Sequence, residues 1–319
     1  MKAKKNSLYQ ESQLPLGLRI KQHIPYYLFL VIPLIQVYVF SYMPMYGIQI
    51  AFKNYKTGRG IWGSEWAGLK HFEKFFKSYQ FGRVLTNTLA ISFYSLLMNF
   101  PLSIIMALCI NTVRNAKFKK MVQTITYMPH FISVVVLVGM ITQMFNPVMG
   151  MYGTVYRLMG GDGYPKDILT NAAAFRHMYV WSGVWQNLGW NTIIYISALS
   201  SVDPELHEAA EIDGASRLKR VIYIDFPVLI PTAAIMLIMN AGSIMSVGFE
   251  KTYLMQNSTN LIASEVISTY VYKTGMSRGT TQFSYASAIG LFNSAVNCAM
   301  LVIFNTLSNR LSRGSMGLF

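Results

Sequence analysis

The side chains best placed to do chemistry lie in one stretch, PELHEAAEIDGASRLKRVIYIDFPVLIP, from Pro204 to Pro231. Six of the 13 carboxylates of a chain with net charge +14 fall between Asp203 and Asp225. Glu205, Glu208 and Glu211 recur at three-residue steps, so a helix sets them on one face near its positive end. Ala209 and Ala210 leave an adjoining face smooth, which permits close approach of a second surface. Such a row suits ion pairing with a basic partner. Catalysis needs a base beside a nucleophile, and none accompanies it.

A second set of polar groups interrupts apolar runs, where hydrocarbon penalises them. One is Trp185-Gln186-Asn187-Leu188-Gly189-Trp190-Asn191; the other is Asn240, Ser243 and Ser246, leading to Phe249. Asn240, Ser243 and Ser246 share roughly one helical face, as a polar path or a polar helix interface requires. Aromatics beside amides suit sugars, because a ring covers the C–H face while an amide bonds hydroxyls. The histidines, 23, 71, 130, 177 and 207, have no metal-ligand spacing, and Cys109 and Cys298 lie inside apolar runs. No metal site and no disulfide framework is expected.

The elements that position these groups follow from patterning. Asp203 can N-cap a helix begun by Pro204. Gly214 ends that helix through a left-handed backbone. Ser216 can cap the next, where Leu218, Val221 and Ile222 form an apolar stripe beside Arg217, Lys219 and Arg220. Elsewhere 53% of residues are hydrophobic and only 13% charged, against about 25% charged in globular proteins. Six stretches lack Asp, Glu, Lys and Arg: Gln22–Phe52, Val84–Val113, Met121–Tyr156, His177–Val202, Phe226–Phe249 and Gly279–Asn309. Each exceeds the roughly 20 residues needed to cross a bilayer. The expectation is an all-α membrane protein with six transmembrane helices. The N-terminal run is too long for a signal-peptide core and reads as a retained first span.

Six spans put both termini on one side. Arg114, Lys117, Lys119 and Lys120 in a short loop, the basic N-terminus, and Arg310 with Arg313 mark that side as cytoplasmic. The opposing Lys53–Arg83 segment also holds seven basic residues, with Glu65 and Glu73. Within it Leu69, Phe72, Phe75 and Phe76 line one helical face. They predict an amphipathic helix at the outer interface, with Trp62 and Trp66 as headgroup anchors; a docking surface for a protein is the alternative. Segment 146–176 reads as a glycine-rich loop. Its Gly160-Gly161-Asp162-Gly163 lacks the Lys-Ser/Thr of a phosphate cradle. Glu250–Arg278 reads as a polar outer segment that could contact a substrate-delivering protein. Basic charge without nucleic-acid motifs or aromatic interleaving argues against nucleic acid.

Glu208-Ala209-Ala210, Asp213-Gly214-Ala215 and Ile224-Asp225-Phe226-Pro227, at this spacing before the penultimate span, resemble the EAA loop of binding-protein-dependent ABC importer permeases. Phe226 stands where that family usually has Leu. Tyr42–Tyr55 (YMPMYGIQIAFKNY), Tyr127–Ser133 (YMPHFIS), Val247–Glu250 (VGFE) and Tyr285–Asn293 (YASAIGLFN) extend the likeness to lplB-type oligosaccharide importer permeases across nearly the whole chain.

The resemblance implies a type I importer permease core spanning residues 25–310, a cytoplasmic coupling loop at 203–227, a cytoplasmic segment at 1–24 and a cytoplasmic tail at 311–319. It implies a bacterial inner-membrane location and four further subunits or partners: a second permease, two ATPase subunits and an extracytoplasmic solute-binding protein. Glu205, Glu208, Ala209, Ala210, Glu211, Asp213, Gly214, Ala215 and Pro227 are the implied ATPase-coupling residues. Trp185, Gln186, Asn187, Asn191, Asn240, Ser243, Ser246 and Phe249 are the expected oligosaccharide pathway. The chain has no G-x-x-x-x-G-K-[ST], so ATP and Mg belong to the ATPase partner and no cofactor is expected in this chain. The rival is a secondary, ion-coupled transporter, which needs ionisable groups in its spans. A membrane enzyme needs a catalytic cluster that the sequence lacks. The basic outer residues Lys53, Lys56, Arg59, Lys70, Lys74 and Lys77 suit either acidic oligosaccharides such as uronides or lipid headgroups.

Overall fold

A computed structural model describes residues 15–276 and 282–311. Lys2, Lys4, Lys5, Arg313 and most of the expected cytoplasmic segments lie outside them. Two compact units divide the chain at Gly68.

In the first unit, α1 (Leu16–Val37) continues through a π turn (Tyr38–Tyr42) into a 3-10 helix (Met43–Phe52). His23–Phe52 is long and apolar enough to cross a membrane. Its large apolar side chains are exposed, as a lipid-facing helix requires. A short hairpin of β1 (Lys53–Asn54) and β2 (Glu65–Trp66) follows. Trp62 and Trp66 are exposed, and Trp66 stacks on Phe52 with ring centroids 5.8 Å apart.

The second unit opens with the predicted amphipathic helix, α2 (Lys70–Phe76). Phe75 is fully buried, edge-on to Phe81 at 5.0 Å and Phe292 at 5.7 Å. That side of α2 is therefore core. Next come α3 (Tyr79–Asn111), α4 (Ala116–Tyr127), α5 (Val134–Met144), α6 (Met151–Leu158) and α7 (Ala172–Leu199). α8 (Pro204–Ile212) and α9 (Arg217–Arg220) lead by a π turn (Val221–Asp225) into α10 (Phe226–Ala241). α11 (Phe249–Met255), α12 (Leu261–Ser264), α13 (Ile267–Gly275) and α14 (Phe283–Leu311) complete it.

α3 and α7 lie along one another, and α10 joins them around Ile104, Ala107, Tyr195, Leu199 and Leu229. α14 packs on α2, α10 and α13.

Among the described residues, four helices are long and apolar enough to span a bilayer, or five with one bent pair. The expected third span is that pair. Pro129 lies in a 3-10 turn at Met128–Phe131, Ser133 accepts from Val136 N–H to cap a new helix, and the axis turns by 97°. The expected fourth span, α7, is helical over 28 residues but more polar than those four. The expected fifth ends at Ala241, where Gly242 begins an irregular turn that continues to Gly248.

Glu250–Arg278, expected as a polar segment, forms α11 to α13 through residue 275 and is partly core. Thr252, Asn260, Ser264, Glu265 and Thr269 are buried. Asn257 and Asn260 each donate to the Leu169 carbonyl, at 2.8 and 3.1 Å. Segment 146–176, expected as a loop, contains α6.

Candidate functional site

The acidic loop is built by local rules. Asp203 accepts from Glu205 N–H at 3.0 Å, and Pro204 occupies the first turn of α8. At the other end Gly214 has φ +75°. Its N–H donates to Glu211 O at 3.1 Å, and Ala215 N–H donates to Ala210 O at 2.9 Å. This pairing is a Schellman cap, which needs a left-handed residue where Gly214 stands. Ser216 accepts from Lys219 N–H at 3.4 Å to start α9. α9 then runs without a break into α10, with Pro227 in the first turn of α10.

Tertiary bonds tie the loop to its supports. Asp225, 2% exposed, accepts from Asn111 at the end of α3 (3.3 Å) and sits 3.2 Å from His207 Nε2 on α8. Glu211 accepts from Arg220 at 2.7 Å and from Arg114 at 3.4 Å. Arg220 holds the Glu211 carboxyl below the ordinary carboxylate range. Glu211 thus pairs within the chain. Glu205, Glu208, Ala209 and Ile212, spaced for one helical stripe, are all exposed. Ile212, at 87%, is an uncovered apolar side chain among carboxylates.

The second feature is a cavity of about 740 Å³ between α3, the α4–α5 bend, α7, α10 and α11. Gln186, Asn187, Asn191, Asn240, Ser243 and Ser246 line it. Trp185 and Phe249 do not. Trp185 is 49% exposed away from the lining, and Phe249 packs on Tyr272 at 4.9 Å.

The amides are held by the walls: Gln186 donates to Ile132 O at 2.8 Å, Asn187 to Gly183 O at 3.1 Å, and Asn240 to Met236 O at 2.7 Å. Ser246 accepts from Asn297 at 2.9 Å. Each amide keeps a second N–H, and Ser246 keeps its hydroxyl hydrogen, for other partners.

His130 and Lys251 are among the lining residues that escaped sequence reasoning. His130 stacks on Trp190 at 4.3 Å and bonds Asn187 Oδ1 through Nδ1 at 3.0 Å. Its place beside Pro129 in the YMPHFIS stretch was the available signal. Lys251 turns inward just past the fifth apolar run, and burial pulls its ammonium down to about 8. Its sequence neighbours, Glu250 and Thr252, gave no sign of this. No group of three or more His, Cys, Asp or Glu able to hold a metal occurs among the described residues.

Residues 99–313 match the family described as binding-protein-dependent transport system inner membrane component. YteP of Bacillus subtilis (strain 168), a polygalacturonan/rhamnogalacturonan transport system permease protein, is 38% identical over 301 residues, covering 94% of this chain and 92% of that one. Protein LplB of the same organism is 38% identical over 284 residues, covering 89% and 88%.

Among solved structures, a bacterial ABC transporter involved in the import of the acidic polysaccharide alginate superposes with a TM-score of 0.83 at 36% identity, covering 93% of this chain and 99% of that one. The bacterial alginate ABC transporter in complex with alginate pentasaccharide-bound periplasmic protein gives a TM-score of 0.84 over 94% and 99% of the two chains.

Proposed function

The chain belongs to the binding-protein-dependent transport system inner membrane components, and from that membership we propose that it is the permease subunit of an ATP-driven oligosaccharide importer. Its similarity to YteP and to the alginate transporter supports a carbohydrate cargo, and the latter favours one bearing carboxylates. The observation that carries the reading is the pairing of a capped, outward-facing acidic helix with a polar cavity, joined by α3 and α7. A 13-residue helical stretch such as Asn187–Leu199 reaches about 20 Å. A push on the loop therefore acts along a continuous rod that ends at the cavity wall.

In this reading six spans cross the membrane, with both termini cytoplasmic. α7 serves as the fourth span, its polar side turned to the cavity, and the α4–α5 pair serves as the third. A second permease completes the pathway. Two ATPase subunits grip the two coupling loops and supply ATP and Mg, and an extracytoplasmic solute-binding protein delivers cargo. ATP closes the ATPase dimer, α8 moves as a rigid lever, and the spans tilt to face the cavity outward.

Glu205 and Glu208 offer charge to the ATPase, while Ala209 and Ala210 admit close packing. Glu211 and Asp213 close the helix end, Gly214 and Ala215 make the bend, and Pro227 marks the entry to the fifth span. Gln186, Asn187, Asn191, Asn240, Ser243 and Ser246 meet saccharide hydroxyls, while Trp185 and Phe249 shape the outer side of that wall.

The test is Glu208→Lys in the reconstituted importer. We expect normal insertion and assembly-independent folding, with ATP-driven uptake lost. Normal uptake by Glu208→Lys overturns the docking role.

A further inference from the structure

Among the described residues, Lys251 is the only lysine or arginine in the cavity lining, and no carboxylate lines the cavity with it. It is 7% exposed. Its Nζ donates to the Tyr179 carbonyl at 2.8 Å and stands 4.7 Å from the centroid of the Tyr179 ring. Among the described residues it makes no ion pair, whereas Glu265, the buried acid of the α11–α13 region, is already taken by Arg83 and Lys273.

An ammonium has three donors. One goes to Tyr179 O and the ring face attracts the group, which leaves N–H capacity turned to the cavity. A buried cation without a counter-charge is costly, and ionisable groups inside membrane proteins mark substrate or ion pathways.

α7 is also shaped around this group. A Cβ at residue 183 would lie 3.3 Å from Lys251 Nζ, so glycine there leaves the ammonium its seat. Gln186 and Asn187, held by their N–H bonds to Ile132 O and Gly183 O, stand on the same wall. A cation flanked by fixed amides is the arrangement that distinguishes a uronic acid unit from a neutral hexose. The charge meets the carboxylate, and the remaining amide capacity bonds the hydroxyls of either sugar.

We propose that Lys251 is the specificity-determining residue of the cavity, pairing with a carboxylate of an acidic oligosaccharide in transit. The proposal rests on the importer reading above. It adds that discrimination by charge occurs inside the permease as well as at the binding protein. Tyr179 and Gly183 are positioning residues that hold the ammonium against α7.

The experiment uses the complete importer in proteoliposomes with its binding protein unchanged. It measures ATP-driven uptake of trigalacturonate and of its carboxyl-reduced form, and the readout is the ratio of the two. Lys251→Gln is expected to lower that ratio about tenfold, the scale of one lost charge-assisted contact. Lys251→Arg should keep the ratio near that of the unaltered protein.

An equal loss on both sugars, which a purely structural lysine would give, overturns the proposal. So does an unchanged ratio in Lys251→Gln. Absence of ATP-driven uptake of either sugar by the unaltered importer overturns the importer reading instead, and this proposal falls with it.

Discussion

The cavity and the acidic loop use opposite strategies. In the cavity, amides are spent on the walls: Gln186 on Ile132 O, Asn187 on Gly183 O and Asn240 on Met236 O. The groups are fixed before any ligand arrives, which lowers the ordering cost of binding. In the loop, the backbone is fixed by caps, and much of the side-chain chemistry is left outside. Glu205, Glu208 and Ile212 are exposed, while Glu211 and Asp225 turn back into the chain. One region is preorganised to hold something small and polar. The other is a stiff backbone presenting an unfinished surface to something large.

That contrast can be broken first at the loop backbone. Gly214→Pro fixes φ near −65° where +75° is required. We expect ATP-driven uptake to fall about 100-fold, while saccharide binding in the cavity is retained. Simultaneous loss of binding would show that the two regions are not separable.

The next largest effect is on stability. Asp225→Ala strands Asn111 and His207 and should cost about 1–3 kcal/mol, read as a lowered melting temperature of the detergent-solubilised protein. No change in melting would mean that the loop is not latched to α3 and α8 through this carboxylate.

A smaller effect sharpens the cavity side. In Gly183→Ala the new methyl sits 3.3 Å from Lys251 Nζ. Uptake of trigalacturonate should drop about threefold relative to the carboxyl-reduced sugar, if displacing the ammonium weakens one charged contact. Equal uptake ratios before and after would place the ammonium away from the cargo.

The smallest effect belongs to Glu211→Gln. Its own carboxyl is more than half exposed, and ion pairs of exposed groups contribute little. Uptake should stay within about twofold. A large loss would move Glu211 from brace to docking contact.

What could be read from sequence divides along the same line. The caps at Asp203, Pro204, Gly214 and Ser216 were legible because each acts within a few residues of itself. The amphipathic α2 was legible because Leu69, Phe72, Phe75 and Phe76 keep a helical period. The apolar runs were legible by length. The 97° turn after Phe131 was not, since Pro129 marks a possible break without its angle.

Lys251 was missed because its inward turn depends on α11 meeting α7, a contact 72 residues apart in sequence. The helices of the Glu250–Arg278 segment were missed for a related reason. Their polar residues bond each other and the Leu169 carbonyl, so polarity there signals burial in a network instead of exposure.

The most direct test of the central claim places cysteine at position 208, with Cys109 and Cys298 replaced, and asks what it touches in the assembled importer. The account predicts an ATP-dependent disulfide or short-span cross-link between residue 208 and the ATPase subunit, with no labelling by an impermeant thiol reagent from the outer side. Labelling from outside, or ATP-driven uptake that persists with no ATPase contact at this position, would contradict it.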